Sequence, residues 1–283
     1  MNKILACIDG SRSTESVCDH AAWVGLRTGN PLVFLHAIRH PHAEPKGDWS
    51  GSIGLGGREA LLAQMVEEEE KRAKLLREQG RALLEDAVAR VQDQGIEDAG
   101  GLLRNDRVVA AIGDMQDQAA LIIVGKQGHD GEMVERHIGS HLESLIRTVE
   151  RPVLVAPPTF TVPERFMIAY DGSPTAQITL DAVAAHPLLK GLEAHVLLVG
   201  ADSTENKAAL ETAADRLASA GHPVETARRE GDVTDAVCDY RQAHDIQLLA
   251  MGAYGHSRLR RWFIGSTTTD MIMRSPIPLL IVR

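Results

Sequence analysis

Only three cysteines occur, Cys7, Cys18 and Cys238, and none forms a C-x-x-C pair. An odd count without paired spacing argues against a disulfide framework, and Cys7, inside an apolar stretch, reads as a small core residue. No run of about eighteen apolar residues is present, so no membrane-spanning helix is expected. The opening MNKILACIDGS meets Asp9 too soon to supply the apolar centre of a secretory signal. Basic residues are in the minority, 30 Lys and Arg against 39 Asp and Glu, for a formal net charge of -9. Nucleic acid and anionic membrane both demand a positive field, so neither is an expected partner. The G-x-S-x-G elbow, the P-loop and the G-x-G-x-x-G turn are all missing. Twelve histidines include His137 and His141, and the group His36, His40 and His42, yet no cysteine or carboxylate completes a ligand spacing. No metal centre and no catalytic residue is assigned, and the expectation is a cytoplasmic globular protein.

What is present is a repeat. KILACIDGS (3–11) returns as FMIAYDGSP (166–174), and ALIIVGKQG (120–128) as QLLAMGAYG (247–255). IGSHLESLIRTVERPVLVA (138–156) returns as IGSTTTDMIMRSPIPLLIV (264–282). Three matched blocks in one order mark a tandem duplication. At 283 residues the chain has room for two cores. Pro157, Pro158 and Pro163 bracket a linker, which places two domains at 1–158 and 163–283.

The second copy predicts strands near 165–171, 194–200, 224–229, 247–252 and 278–282, with helices near 174–186, 204–220, 233–244 and 266–275. Continuous apolar strands belong to a parallel sheet covered by helices on both faces, which makes each copy an α/β domain. The first copy is about 35 residues longer between Asp9 and Gly125 than the second between Asp171 and Gly252. One extra long helix and its loop would fill that excess. The loop is 40–57, rich in Pro, Gly, His and Ser, and the helix is the charged stretch 58–94, whose acidic run reads as a solvated face. The closing strands PVLVAP and PLLIVR are apolar edges that must be covered, by each other or by a second chain. A homodimer and an intrachain pseudo-dimer are the two alternatives.

The candidate site lies in one spacing. Gly252-x-x-Gly255 is followed by nine residues and then Gly265-Ser266 at a helix start. Glycines let the backbone turn tightly and approach a ligand, while the helix N-terminus attracts an anion. Ser266 and Thr267 add hydroxyl donors. Asp171 ends the first strand of the same copy, and open parallel sheets bind ligands beyond their strand ends at the switch point. A carboxylate repels phosphate, so Asp171 is placed on a sugar, on a base or beside a magnesium ion; alternatively Asp171-Gly172-Ser173 only turns the chain and caps the next helix.

These blocks resemble the universal stress protein family, through the Asp-Gly-Ser after strand one, G-x-x-G-x9-G-[ST], the preceding LLAMG and the proline before the last strand. The resemblance runs over nearly the whole chain, twice. It implies two tandem flavodoxin-like (HUP-type) domains, each an open five-stranded parallel sheet with helices on both faces, packed through their last strands. It also implies binding of an adenine nucleotide, ATP or AMP. Phosphate contacts would fall on Gly252, Gly255, Gly265, Ser266 and Thr267, the strand-one acid on Asp171, and the backbone beside adenine on Gly200. The corresponding first-copy residues are Asp9, Ala37, Gly125, Gly128, Gly139 and Ser140.

The copies are unequal. Gly128 is separated from Gly139 by ten residues, and that segment carries Asp130, Glu132, Glu135 and Arg136, for a charge of -2. Its counterpart carries Arg258, Arg260 and Arg261, for +3. A unit charge near a polyphosphate is worth about 1 kcal/mol even when screened. Binding is therefore expected mainly in the second copy, with Arg258 at the site. The expected role is a stress-linked regulator that shows its nucleotide state to an unknown protein partner. A slow ATP hydrolase or nucleotidyl-transfer enzyme, and an adaptor with vestigial sites, are the rival readings.

Overall fold

The computed structural model describes residues 2–38, 55–126, 140–252 and 266–282. The first half runs β1 (Lys3–Cys7), α1 (Thr14–Thr28), β2 (Leu32–Ala37), α2 (Leu55–Asp93), β3 (Ala99–Arg104), α3 (Val108–Met115), β4 (Ala119–Gly125), α4 (Ser140–Thr148) and β5 (Val153–Ala156). The second repeats that order as β6 (Arg165–Tyr170), α5 (Pro174–Ala185), β7 (Glu193–Val199), α6 (Thr204–Ser219), β8 (Val224–Arg229), α7 (Val233–Ala243), β9 (Leu248–Gly252), α8 (Ser266–Arg274) and β10 (Leu279–Val282). The expected strands and helices of the second copy are all found, each within a residue or two of its predicted ends.

The expected extra helix of the first copy is not an extra element. The two halves match helix for helix, and α2 occupies the place of α6. It has 39 residues where α6 has 16. Its C-terminal part packs through Leu84, Ala87 and Val91, whereas residues 63–72 are exposed throughout. The surplus sequence lengthens one helix beyond the body instead of adding a layer, because its polar, Glu-rich surface needs no cover.

Ten strands form one sheet in the order β3-β2-β1-β4-β5-β10-β9-β6-β7-β8. Within each half all neighbours are parallel, and the chain order reverses between the first strand and the fourth. The halves meet where β5 pairs with β10 antiparallel, with Leu154 opposite Leu280. Of the two ways to cover these apolar edges, the chain uses its own second copy. The strand directions of the halves are therefore opposed, and their C-terminal strand ends lie on opposite rims of the sheet.

Alternating strand residues feed two core layers. Ile4, Ala6, Phe166 and Ile168 point to the layer under α1, α2, α5 and α6. Leu5, Leu35, Met167 and Leu197 point to the layer under α3, α4, α7 and α8. Each layer is continuous across both halves.

Polar contacts also tie the halves together. Arg27 of α1 donates to the Leu188 and Lys190 carbonyls at 2.6 and 2.5 Å. Where the first half passes into the linker, Ser16 Oγ donates to the Pro157 carbonyl at 2.6 Å. The neighbouring His20 is fully buried, shares a 2.7 Å hydrogen bond with the Ser16 carbonyl through Nδ1, and lies edge-on to Phe160, 4.7 Å between ring centres. Lys126, just beyond β4, donates from Nζ to the Met273 and Ser275 carbonyls at 2.7 and 2.8 Å. A first-half lysine thus caps the C-terminal end of second-half helix α8, where the helix dipole favours a cation.

Burial pushes the His20 imidazole down from 6.5 to about 4, outweighing its bond to Ser16. The unfolded state therefore binds the extra proton between those values. His20 contributes stability that is fully present above pH 6.5 and is lost as pH falls to about 4, roughly 3 kcal/mol in all. Urea unfolding at a series of pH values should show this acid loss in the native chain and a shallower one in His20→Asn; equal slopes would contradict it. Lys126→Met should lower unfolding stability by about 1–3 kcal/mol, since two carbonyls lose a charged donor. A chemical melt unchanged by this substitution would show that the cap is energetically idle.

Candidate functional site

In the second half Asp171, Gly200 and Gly252 stand at strand ends on one rim, from which the backbone of α8 begins at Ser266. β6 and β9 are parallel neighbours, with Ile168 paired to Ala250 at the last rung they share. Beyond it each strand stays with its outer partner, Tyr170 with Leu198 and Gly252 with Val282. The two strands therefore part before Asp171 and Gly252, at the point where strand order reverses. In the first half the matching ladder continues one rung further, to Cys7 opposite Val124. The cleft between central strands thus begins deeper in the second half.

Asp171 is exposed and accepts from the Ser173 amide through Oδ1 at 3.0 Å. Gly172 holds φ at +72, a conformation side chains resist, and Ser173 Oγ caps α5 by accepting from the Ala176 amide at 3.1 Å. The turn-and-cap role is therefore real for this segment and uses one carboxylate oxygen. The first half repeats the turn, with Ser11 N donating to Asp9 Oδ1 at 3.0 Å and Gly10 at φ +78, but Ser13 makes no side-chain cap on α1.

Gly200 follows β7 on the same rim. Its amide donates to the Arg229 carbonyl at 2.9 Å, and its carbonyl accepts from Arg228 Nη1 at 2.9 Å. A Cβ there would lie 3.1 Å from Asn206 Nδ2 and 3.3 Å from Leu198 Cδ2, tighter than ordinary packing. Arg228 also meets Glu230 at 2.8 Å and Asp202 at 3.7 Å. In the sequence this arginine is only one of two basic residues ending a strand, and nothing there marks its contact with Gly200.

Next to Gly200 on the rim, Asp232 caps α7 by accepting from the Thr234 and Asp235 amides at 2.8 and 3.1 Å, after Gly231 turns at φ +106. The first-half equivalent, Arg107, makes no side-chain cap on α3. Helix α8 begins at Ser266, and Thr267 is its second residue. The side chains of Ser266 and Thr267, and all of Gly255, Arg258 and Gly265, lie outside the described residues. So do both contrasting loops, with their charges of -2 and +3.

On the first-half rim, Asp9, Ala37 and Gly125 stand at or beside the ends of β1, β2 and β4, and the Ser140 backbone begins α4. Gly128 and Gly139 lie outside the described residues. Burial, helped by Asp9, pushes the Cys7 thiol up to about 12, so it is held neutral beside this rim and is a poor nucleophile. Lys126 follows Gly125 directly, but its ammonium is spent on the end of α8. Among the described residues no helix is long and apolar enough to cross a membrane.

The family model described as "Universal stress protein family" matches residues 1–157 and 200–283. A curated relative, universal stress protein Slr1230 of Synechocystis sp., is 34% identical over 287 residues, covering 100% of both chains. A solved universal stress protein from Archaeoglobus fulgidus covers 100% of this chain and 98% of its own at 20% identity, with a TM-score of 0.72. The structure of a protein described as a putative universal stress protein from Pseudomonas aeruginosa covers 100% and 93% at 16% identity, with a TM-score of 0.63. At these identities the two structures speak for the shared fold.

Proposed function

The chain belongs to the universal stress protein family, and on that premise we propose that it is a nucleotide-binding regulator that takes ATP or AMP in its second half. The two domains are 1–158 and 163–283, and the second carries the working site. The observation that carries this reading is the early parting of β6 and β9 at the switch point, on the rim from which α8 runs back toward β10. A crevice at a switch point accepts a ligand, and a helix N-terminus beside it accepts an anion.

The chain's own residues divide the work. Gly252, Gly255 and Gly265 let the backbone close around phosphates, and the Ser266 and Thr267 hydroxyls donate to them. Asp171 keeps one carboxylate oxygen beyond its turn bond for a sugar hydroxyl, the base or a magnesium ion. The absence of a Cβ at Gly200 keeps that backbone close to its neighbours, as a flat base site requires. Arg258 supplies positive charge from the loop, and the matching first-half loop is acidic. Occupancy then alters the surface around 252–266, which is what a protein partner would read.

Calorimetric titration of the whole chain with ATP should give one site per chain. Gly265→Val should abolish it, while Gly139→Val leaves it intact. Replacing Arg258, Arg260 and Arg261 by alanine should weaken binding by about tenfold or more, from roughly 1 kcal/mol per screened charge. Two equal sites, or loss of binding through Gly139→Val, would overturn the assignment to the second half. Bound nucleotide should be recovered unhydrolysed.

A further inference from the structure

On the second-half rim opposite the crevice, three side chains from β7, β8 and the end of α7 converge without any role in nucleotide binding. His195 lies on β7 directly opposite Glu225 of β8. His244 follows α7, one turn after Tyr240, and the two rings stack at 4.0 Å and 19°. One donor atom from each of His195, Glu225 and His244 can be chosen so that all lie within 4.8 Å of one another. Glu225 Oε1 is 3.5 Å from His244 Nδ1, and Glu225 Oε2 is 3.8 Å from His195 Nδ1.

We propose that His195, Glu225 and His244 form a binding site for a divalent transition-metal ion of the zinc type. Imidazole nitrogen with carboxylate oxygen is the donor set that such ions take, whereas calcium and magnesium prefer oxygen alone. A tetrahedral ion with bonds of about 2.0–2.1 Å sets its ligand atoms roughly 3.4 Å apart. Glu225 meets the two imidazoles near that spacing through different oxygens, so its carboxylate has to rotate to offer one oxygen to the ion. His244 is only partly buried, and its ring is held in place by stacking on Tyr240.

His195 is 2% exposed, and Nδ1 is the ring nitrogen that faces Glu225. Tyr240 Oη stands 3.0 Å from the same His195 Nδ1. Glu193 approaches His195 Nε2 at 3.7 Å, although its other oxygen is taken by Arg165 at 2.9 Å. The repeat supplies an internal control: the strand register puts Val33 and Gly100 at the first-half positions equivalent to His195 and Glu225. The trio thus has no counterpart at these positions in the first half. A metal there would clamp β8, an outermost strand of the sheet, to β7 and α7.

The test uses the whole chain, stripped with a chelator and titrated with Zn2+ and with Co2+ as a spectroscopic stand-in. The expected result is one tight equivalent, with visible Co2+ absorption of tetrahedral type and a rise in melting temperature on adding Zn2+. His244→Asn and Glu225→Gln, both at solvent-accessible positions, should each weaken this equivalent by at least about tenfold and remove the Zn2+-dependent rise. Metal affinity within a few-fold of native in both variants would overturn the proposal, as would a native chain whose melting temperature Zn2+ leaves unchanged. Nucleotide titration of the same variants should match the native chain, because the trio lies at the other end of the strands.

Discussion

The antiparallel seam between β5 and β10 governs how everything else in this molecule is placed. Each half ends on a short strand that is buried along its whole length and would otherwise be a bare apolar edge. Pairing the two edges merges ten strands into one sheet and lets both core layers run through the junction. An apolar edge left open is a site for pairing with another chain. The seam removes that exposure within a single polypeptide and, by reversing strand direction, sends the two switch-point clefts to opposite rims.

That reversal explains the position of α8. Helices in these halves run against their strands, so α8 starts at the second-half cleft and ends at the first-half rim. Its last carbonyls meet Lys126, the residue that follows Gly125 at the end of β4. The first half thus holds the end of a second-half helix whose start stands on the opposite rim.

The same duplication accounts for what differs between the copies. Once both halves share a sheet, each helix can change length or lose its cap without losing the fold. α2 has lengthened to 39 residues, α3 has no side-chain cap while α7 has Asp232, and polar groups occupy β7 and β8 where β2 and β3 have Val33 and Gly100. Repeat, strand positions and second-half helix positions were all legible from apolar runs and matched blocks, because local periodicity reports burial directly. The expectation of an added helix failed because length alone does not distinguish a new element from the extension of an old one.

The sequence alone determined that there are two copies of a parallel α/β unit, where their strands and most of their helices lie, and which glycines and acids stand at strand ends. It determined these things because they follow from neighbours in the chain. Only the tertiary structure decided that the closing strands pair with each other, that β6 and β9 part a rung early, that Lys126 reaches α8, and that His195, Glu225 and His244 meet. Those facts depend on register and strand direction across the sheet, which bring together residues whose separation in the chain carries no trace of their contact.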